Sequence, residues 1–302
     1  MSIHRDLQEK KYELSTSINT ILNSSSFKPT LKLSISLNEE IEKIKQSFKR
    51  IIEEAEKSEE DFKRFKEVIL FLGYPPSDNM DIRLIRKIGK VCIEEGVNHL
   101  KKIIDDLMKE FYSPERIDHL KKEWESYSFL KDRLPLLGQA LKAHNLGMYS
   151  VAVPSLLSQM EGIIIDGFSV KGEVPGNLFK RLISLLFDNE SISNKTDKSK
   201  AEELAELLRY EKLICDYYFN FLLEHFEHGQ EEVSNVSRHA ILHGGARPIS
   251  YNHEHISLKM IIMMDNIIYQ VSLLTADKKE KAIPILEKIQ QITKKNREKR
   301  KA

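Results

Sequence analysis

The chain has few of the residues that interrupt or cross-link a fold. Of its 302 residues, 12 are glycine, 9 are proline and only 2 are cysteine. The two cysteines, Cys92 and Cys215, lie in apolar helical sequence, so neither a disulfide framework nor a cysteine-based metal knuckle is expected. They indicate free, buried thiols in a reducing compartment. The scarcity of glycine and proline leaves long stretches in which a helical pattern continues without a break.

A strong charge of one sign is also absent. The net charge is +1 at pH 7, so no global field attracts nucleic acid, and any site for RNA must be local. Residues 1–15 contain no apolar core, and no secretory signal is expected there. The most apolar window, Ile256 to Leu274, carries charged and amide groups that lipid disfavours, so it predicts a buried helix. We therefore expect a cytoplasmic protein without a membrane partner.

Helical periodicity dominates the remaining sequence. In Leu37 to Glu56, for example, apolar residues recur at three- and four-residue steps, as an amphipathic helix requires. Only Lys28 to Ser36 alternates like a short strand, and no comparable second strand is available to pair with it. The sequence therefore predicts an all-α fold. Its further predicted helices cover residues 62–72, 82–111 as one or two helices, 114 onward, 134–144, 148–168, 177–187, 201–228, 231–243, 256–274 and 278–302.

One short segment, Arg238 to Gly244 (RHAILHG), combines one arginine and two histidines, the residue types suited to metal-free cleavage of RNA. A histidine takes or gives a proton near neutral pH, and a guanidinium offers forked donors to a phosphate. On an ideal helix Arg238 and His243 lie about 140° apart, whereas His239 and His243 share one face. The same residues also fit an ordinary helix end whose polar groups face solvent.

With its flanks, this segment resembles the HEPN domain superfamily. The family signature is an arginine, a polar residue, a few further residues and a histidine, matched here by Arg238, His239 and His243. The bacterial group with an R-H-x-I-L-H-G core is especially similar, because a tyrosine and an S-L-K helix follow, as at Tyr251 and residues 257–259. Residues 140–144 and 149–166 look like the first helices of that group. The resemblance covers residues 133 to 274.

The resemblance implies a division of the chain and a set of partners. Residues 127–277 are expected to form a HEPN-like helical bundle, preceded by a helical region, 1–126, that regulates it or binds a partner. Residues 278–302 form a last helix with a basic tail. HEPN domains are thought to dimerise so that two motifs share a cleft, and Ile256 to Leu274 is a candidate for the core and part of that interface. RNA and a regulatory or antitoxin protein are the other expected partners.

The implied activity is that of a metal-independent endoribonuclease with no cofactor, acting as a toxin or in phage defence. The RNA 2′-hydroxyl attacks its own phosphate, His243 acts as general base or acid, Arg238 stabilises the charged oxygens, and His239 orients the site or adds polarity. Two alternatives remain. One is a HEPN fold that binds RNA or protein without catalysis, and the other is a structural helical adaptor with an accidental motif.

Four residues outside the motif match family positions, each with two interpretations. Gln159 and Glu161 are two apart and cannot share one helical face, so at most one of them points at the motif helix. Glu161 resembles the family's acidic residue, and it either reaches Arg238 or faces solvent. Tyr251 either stacks on a base or packs in the core, and Lys259 either holds a phosphate or lies in solvent.

Other histidines are interpreted as surface residues rather than metal ligands. They are His253 and His255, which alternate around Glu254, and the pair His225 and His228. One position departs from the family: some members carry a tyrosine two residues after the motif histidine, where a partner nucleotidyltransferase modifies it. Here that position is Gly245, which argues against that toxin–antitoxin arrangement.

Overall fold

The computed structural model describes residues 59–77, 79–187, 211–224, 226 and 237–301. These ranges contain 12 α-helices and no strand, so the predicted all-α fold is confirmed for the described part of the chain. The helix predicted over Leu37 to Glu56, the short strand over Lys28 to Ser36 and the polar loop predicted over residues 188–200 lie outside these ranges.

The helices follow one another with short connections. Two glycines in the left-handed region divide the first part of the chain, because Gly73 (φ +70°) ends the turn after the first helix and Gly96 (φ +84°) separates the second from the third. The helices are α1 (59–68), α2 (Ile82–Glu95), α3 (Val97–Phe111), α4 (Pro114–Glu125), α5 (Leu134–Asn145), α6 (Tyr149–Gly167), α7 (Gly176–Phe187), α8 (Glu211–Tyr217), α9 (Arg238–Leu242), α10 (Pro248–Tyr251), α11 (Glu254–Ser272) and α12 (Ala276–Lys301).

Helices α6 and α11 form the centre of the packing. Of the 19 residues of α11, 14 are buried, as predicted for the apolar window. The two helices approach closely at Gly167, where a Cβ atom would lie 3.0 Å from a methyl carbon of Val271. Helices α5 and α7 both pack on α6. Because α6 also carries α9 and α10 on its surface, it is the element that positions the motif.

The segment before residue 127 packs with the rest of the fold. The chain divides into two compact units. One unit contains Asp61–Ser193 and Leu208–Ala302. The other contains Met1–Glu60 and Asn194–Leu207, and of its residues only 59 and 60 are described. Within the first of these units, the buried Asp265 of α11 accepts hydrogen bonds from Trp124 Nε1 (2.8 Å) and Asn79 Nδ2 (2.9 Å). The predicted division at residue 127 therefore follows the resemblance rather than the packing, and the roles assigned to its parts stay predictions.

The motif helix is shorter than predicted. We expected it from Glu231 to His243, but α9 spans Arg238–Leu242 only, since Ser237 has extended backbone angles (φ −61°, ψ 114°) and caps its first turn. Residues 231–236 lie outside the described part. The end of the helix is as predicted, because His243 is the C-cap and Gly244 takes a positive φ of +72°.

The C-terminal helix α12 follows the prediction closely, although it contains Pro284. It packs along α7, where Lys278 Nζ donates to the carbonyl of Leu186 (3.0 Å). Among the described helices, none has by itself both the length and the apolar composition needed to span a membrane. By length and composition alone, α11 together with residues 276–292 of α12 passes that test as a pair bent by 104°.

Candidate functional site

The motif segment packs on α6, and hydrogen bonds within the segment cap its short helix. Ser237 is fully buried and its Oγ accepts a hydrogen bond from the amide of Ala240 (3.3 Å), which starts the helix there. Ala240 and Ile241 point into the core, with 0% and 6% of their surface exposed. After Gly244 the chain folds back, and the amide of Ala246 donates to the carbonyl of Ala240 (2.8 Å). The backbone of this five-residue helix is thereby capped at both ends.

Gly245 is held against an aromatic ring. A Cβ atom at this position would collide with the ring of Phe226, so glycine is required there unless the ring moves. This contact gives a physical reason for glycine rather than tyrosine at residue 245. A tyrosine side chain at residue 245 would overlap with the ring of Phe226.

Arg238 is directed at α6 and α7. Its Nη2 donates to Oε2 of Glu161, a residue 77 positions earlier in the chain, and its guanidinium carbon lies 6.0 Å from the centroid of the Phe179 ring. Both charged side chains are largely buried, with 19% of Arg238 and 23% of Glu161 exposed. The expected contact between Glu161 and the motif arginine is therefore formed, whereas its role in a reaction stays a prediction.

The guanidinium of Arg238 is not fully satisfied by these contacts. Its Nε is buried and has no hydrogen-bond partner among the described residues. A guanidinium has five N–H donors, so a single carboxylate leaves it with further capacity for an anion. The carboxylate of Glu161 both orients the side chain and reduces the positive potential around it.

The two motif histidines lie side by side. The rings of His239 and His243 are nearly parallel, at an interplanar angle of 6°, and their centroids are 6.0 Å apart. This follows from their i, i+4 spacing, since the backbone of His243 (φ −91°, ψ 5°) prolongs the helical turn and keeps both side chains on one face. His243 is exposed and His239 is partly exposed. The structure thus places the two imidazoles side by side on one face of the turn.

Gln159 points away from the motif. Its Oε1 accepts a hydrogen bond from Nη1 of Arg133 (2.7 Å), while Nη2 of the same arginine pairs with Asp166 (2.7 Å). The guanidinium of Arg133 lies over Gly162, where a Cβ atom would be 2.6 Å from Nη2. As expected, Gln159 and Glu161 occupy different faces of α6. The partner of Gln159 is therefore Arg133 rather than Arg238, and the supporting role suggested for Gln159 stays a prediction.

Tyr251 is a core residue. Only 8% of its surface is exposed, at the end of the short helix α10, so base stacking, one of the two roles considered for it, needs the ring to leave the core. The next residue, Asn252, has a positional role, because its Oδ1 accepts a hydrogen bond from the amide of Ser150 (3.0 Å) in the first turn of α6.

Lys259 lies beside the ring of Tyr74. Its Nζ lies 4.7 Å from the centroid of the Tyr74 ring, and the Tyr74 hydroxyl donates to Asp105 of α3 (2.7 Å). Burial lowers the pKa of the Lys259 ammonium below its ordinary value, while the charge of Asp105 opposes that shift. These contacts tie α11 to α3 and to the turn after α1. Lys259 is therefore partly buried and not the solvated lysine of one interpretation, whereas its role toward a phosphate stays a prediction.

The remaining histidines and cysteines form no metal cluster in the part of the chain that the structure describes, where no three histidine, cysteine or acidic residues converge on one point. The rings of His253 and His255 stack with their centroids 5.4 Å apart, and Nδ1 of His255 lies 3.8 Å from Oδ2 of Asp105. His225 and His228 lie outside the described residues. Cys92 is buried as predicted, and Cys215 is partly exposed.

Sequence reasoning missed four residues that shape the site. Arg133, Phe179 and Phe226 are distant in sequence from the residues they contact, and helical spacing carries no signal for such pairs. Ser237 had a signal, because a serine directly before Arg238 is a typical N-cap, and it would have shortened the predicted motif helix.

Comparison of the chain with protein-family models, curated proteins and solved structures finds no match.

Proposed function

We propose that this protein is a metal-independent endoribonuclease of HEPN type. The observation that carries the proposal is the arrangement of the RHAILHG segment. It presents two parallel imidazoles on one face of a capped turn, while the neighbouring guanidinium is held by an acidic residue of the central helix. Proton-transfer groups and a cation within one turn are the requirements for moving a phosphoryl group without a metal.

In the proposed reaction the 2′-hydroxyl of RNA attacks the adjacent phosphorus in line. His243 takes or supplies a proton, since its side chain is exposed and histidine is the most common general acid or base in proteins. Arg238 donates to the non-bridging oxygens as their charge builds up. The products are a 2′,3′-cyclic phosphate and a 5′-hydroxyl. The nucleophile is the 2′-hydroxyl itself, so DNA is not a substrate.

The cellular setting follows from the same resemblance. A toxin or a phage-defence effector needs restraint, because a free ribonuclease damages its host, and a regulatory or antitoxin protein is the proposed source of that restraint. A homodimer through the HEPN-like bundle is proposed as well. The exposed apolar side chains Leu146, Met148 and Ile249, at 64%, 49% and 78% exposure, are compatible with contacts to other chains.

A second candidate is a HEPN-fold module that binds RNA or protein without cutting. The ion pair between Arg238 and Glu161 favours it, because a guanidinium already paired with a carboxylate offers less positive potential to a phosphate than a free one. Cleavage decides between the two candidates, whereas RNA binding alone is expected of both. An adaptor with an accidental motif would neither bind nor cut RNA.

The test is cleavage of a mixed pool of single-stranded and transfer RNA by purified protein in EDTA. Wild type is compared with His243→Ala and with the control His119→Ala, which removes a histidine that is 60% exposed on α4. We expect cutting with cyclic-phosphate ends by wild type and the control, and a loss of about 10²–10⁴-fold in His243→Ala. Equal cutting by all three proteins would overturn the assignment of His243, and cutting by none would favour the binding module.

A further inference from the structure

Two aromatic rings and an arginine lie at the connection between α4 and α5, beside the part of α6 that carries the motif. We propose that Tyr127, Phe129 and Arg133 form a binding site for single-stranded RNA. The exposed ring stacks on a base, and the guanidinium contacts a neighbouring phosphate. This inference rests on the proposed function and deepens it, because it assigns the surface that holds the RNA outside the motif.

Phe129 is a large apolar side chain that stays at the surface. It is 42% exposed, and its ring pairs with the ring of Tyr127 at a centroid distance of 5.7 Å and an interplanar angle of 42°. Tyr127 is itself only partly exposed and interacts with Ser272 at the end of α11. Tyr127 thereby supports Phe129 from below, and the outer face of the Phe129 ring is open to a base of any identity.

Arg133 follows Phe129 closely, because the chain between them runs in consecutive tight turns. The amide of Leu130 donates to the carbonyl of Tyr127 (3.0 Å), and the amide of Arg133 donates to the carbonyl of Leu130 (2.8 Å). A helical turn rises about 1.5–2.0 Å per residue, so the two residues are about 6–8 Å apart along the axis. One strand of RNA can therefore place a base on the ring and a phosphate at the guanidinium.

The guanidinium of Arg133 is held flat against α6. Nη1 donates to Gln159 and Nη2 to Asp166, both at 2.7 Å, and Gly162 leaves room for the planar group. A guanidinium has five N–H donors, and 26% of the Arg133 side chain is exposed. Arg133 is thus oriented in advance and keeps donors for a phosphate. The Asp166 carboxylate lowers the positive potential there, so we expect a moderate contribution to binding.

Helix α6 connects this surface with the motif. Arg133 lies over Gly162, whereas Arg238 binds the preceding residue, Glu161. Successive residues of an α-helix point about 100° apart, so the two arginines flank one strip of the helix surface. Ser158 precedes them by three and four residues, lies within that strip and is exposed. A strand that crosses this small side chain passes from one guanidinium to the other.

The chemistry of this surface selects an unpaired strand. The bases of a duplex are stacked on one another and cannot reach an exposed ring, whereas the bases of a single strand can. The net charge of the chain is +1, so no global field holds a polyanion and binding depends on local contacts. An aromatic ring beside a guanidinium supplies both contacts that sequence-independent binding of a single strand uses.

The test measures binding of the full chain to a labelled 2′-O-methyl RNA of about 12 nucleotides, which lacks the attacking hydroxyl and cannot be cut. Fluorescence anisotropy gives the Kd. Phe129→Leu removes the ring and keeps an apolar side chain, and we expect it to raise the Kd about 5–100-fold. Phe129→Trp is expected to restore binding. Phe71→Leu is the matched control, because Phe71 is 57% exposed and lies 5.0 Å from Lys101 Nζ.

The role of Arg133 is tested by the salt dependence of the same binding. One phosphate contact to a single strand contributes about 0.7 to the slope of log K against log salt. We expect Arg133→Gln to reduce the slope by about that amount, Arg133→Lys to keep most of it, and the control Lys101→Gln to leave it unchanged. Phe129→Leu should weaken binding at an unchanged slope, and a general loss of folding would not separate the two effects.

Three outcomes would overturn the site. They are an unchanged Kd in Phe129→Leu, an equal loss in the control Phe71→Leu, and an unchanged salt slope in Arg133→Gln. Cleavage of RNA is measured separately. If the expected binding changes occur and wild type cuts no RNA, the ribonuclease assignment fails and the binding site stands. If wild type cuts RNA and both variants bind as wild type does, the ribonuclease stands and this site fails.

Discussion

Helices α9 and α11 have opposite characters. Helix α11 has 19 residues, of which 14 are buried, and its partner α6 covers one side of it. Helix α9 has 5 residues, of which 2 are buried, and its other three residues are only partly buried. The comparison separates the source of stability, which lies in the α6–α11 pair, from the residues suited to chemistry, which lie on a small capped turn attached to it.

The largest expected difference follows from truncating one residue of α11 and the residue that caps α9. Ile267 of α11 is fully buried, so Ile267→Ala leaves a cavity and lowers the free energy of unfolding by about 2–5 kcal/mol. His243 is exposed, so His243→Ala changes it by no more than about 0.5 kcal/mol. Urea denaturation of both variants measures the contrast. Similar losses in the two variants would contradict the separation.

Gly245 offers a second test of the difference between α9 and α11, because the motif region is tightly packed at this residue. Gly245→Ala drives a methyl group into the Phe226 ring and is expected to lower the free energy of unfolding by about 1–3 kcal/mol. Gly176→Ala is the matched control, since nothing lies within 4 Å of its added Cβ. Equal unfolding midpoints for the two variants would show that Phe226 does not confine the motif.

The ion pair joins the two regions, so its loss is expected to affect both activity and stability. Glu161→Ala leaves a largely buried guanidinium without its carboxylate, and we expect a loss of about 1–3 kcal/mol in the free energy of unfolding. The cleavage rate is expected to fall on the order of 10²-fold, because the arginine loses its orientation. Glu161→Gln, which keeps one acceptor oxygen, should lose less of both. Cleavage that is faster in Glu161→Ala than in wild type would show that the pair restrains Arg238.

Much of the core was predictable from sequence, because periodicity reports burial along one element. The apolar window from Ile256 to Leu274 corresponds to α11, and the predicted spans of α5, α6 and α7 agree with the structure to within a few residues. Local signals also identified the end of the motif helix at His243 and Gly244. The start of that helix was mispredicted because the N-cap Ser237 was read as a helical residue.

The contacts that the site residues make were harder to predict from the sequence. The sequence suggested that Glu161 reaches Arg238 through the family resemblance, whereas helical spacing only excluded Gln159 from the same face. Nothing in the spacing pairs Gln159 with Arg133, which is 26 residues earlier, or places Lys259 over the ring of Tyr74. Such contacts depend on how helices cross, and crossing geometry is set by the whole packed core.

The smallest expected effect concerns a buried histidine that joins α5 to α11. His144 is 6% exposed and its Nδ1 lies 2.9 Å from Ser257 Oγ. Burial lowers its pKa from the ordinary value of 6.5, so the folded state binds this proton less well than the unfolded state. The stability that neutral His144 contributes is therefore fully present above pH 6.5, and it is lost as the pH falls through the folded-state pKa of this histidine.

His144→Gln removes that titration while keeping a polar side chain beside Ser257. We expect the free energy of unfolding of wild type to decrease more steeply below pH 6.5 than that of the variant, as measured by urea denaturation at a series of pH values. Parallel pH dependences for the two proteins would exclude His144 as the source of the slope.

The most direct test of the central claim is a comparison of two oligonucleotides of one sequence, one of ribose and one of 2′-deoxyribose, incubated with the full chain in EDTA. The account predicts that only the ribose strand is cut, and that its new ends are a 2′,3′-cyclic phosphate and a 5′-hydroxyl. Cutting of the deoxyribose strand at a similar rate, or the absence of cutting of both, would contradict it.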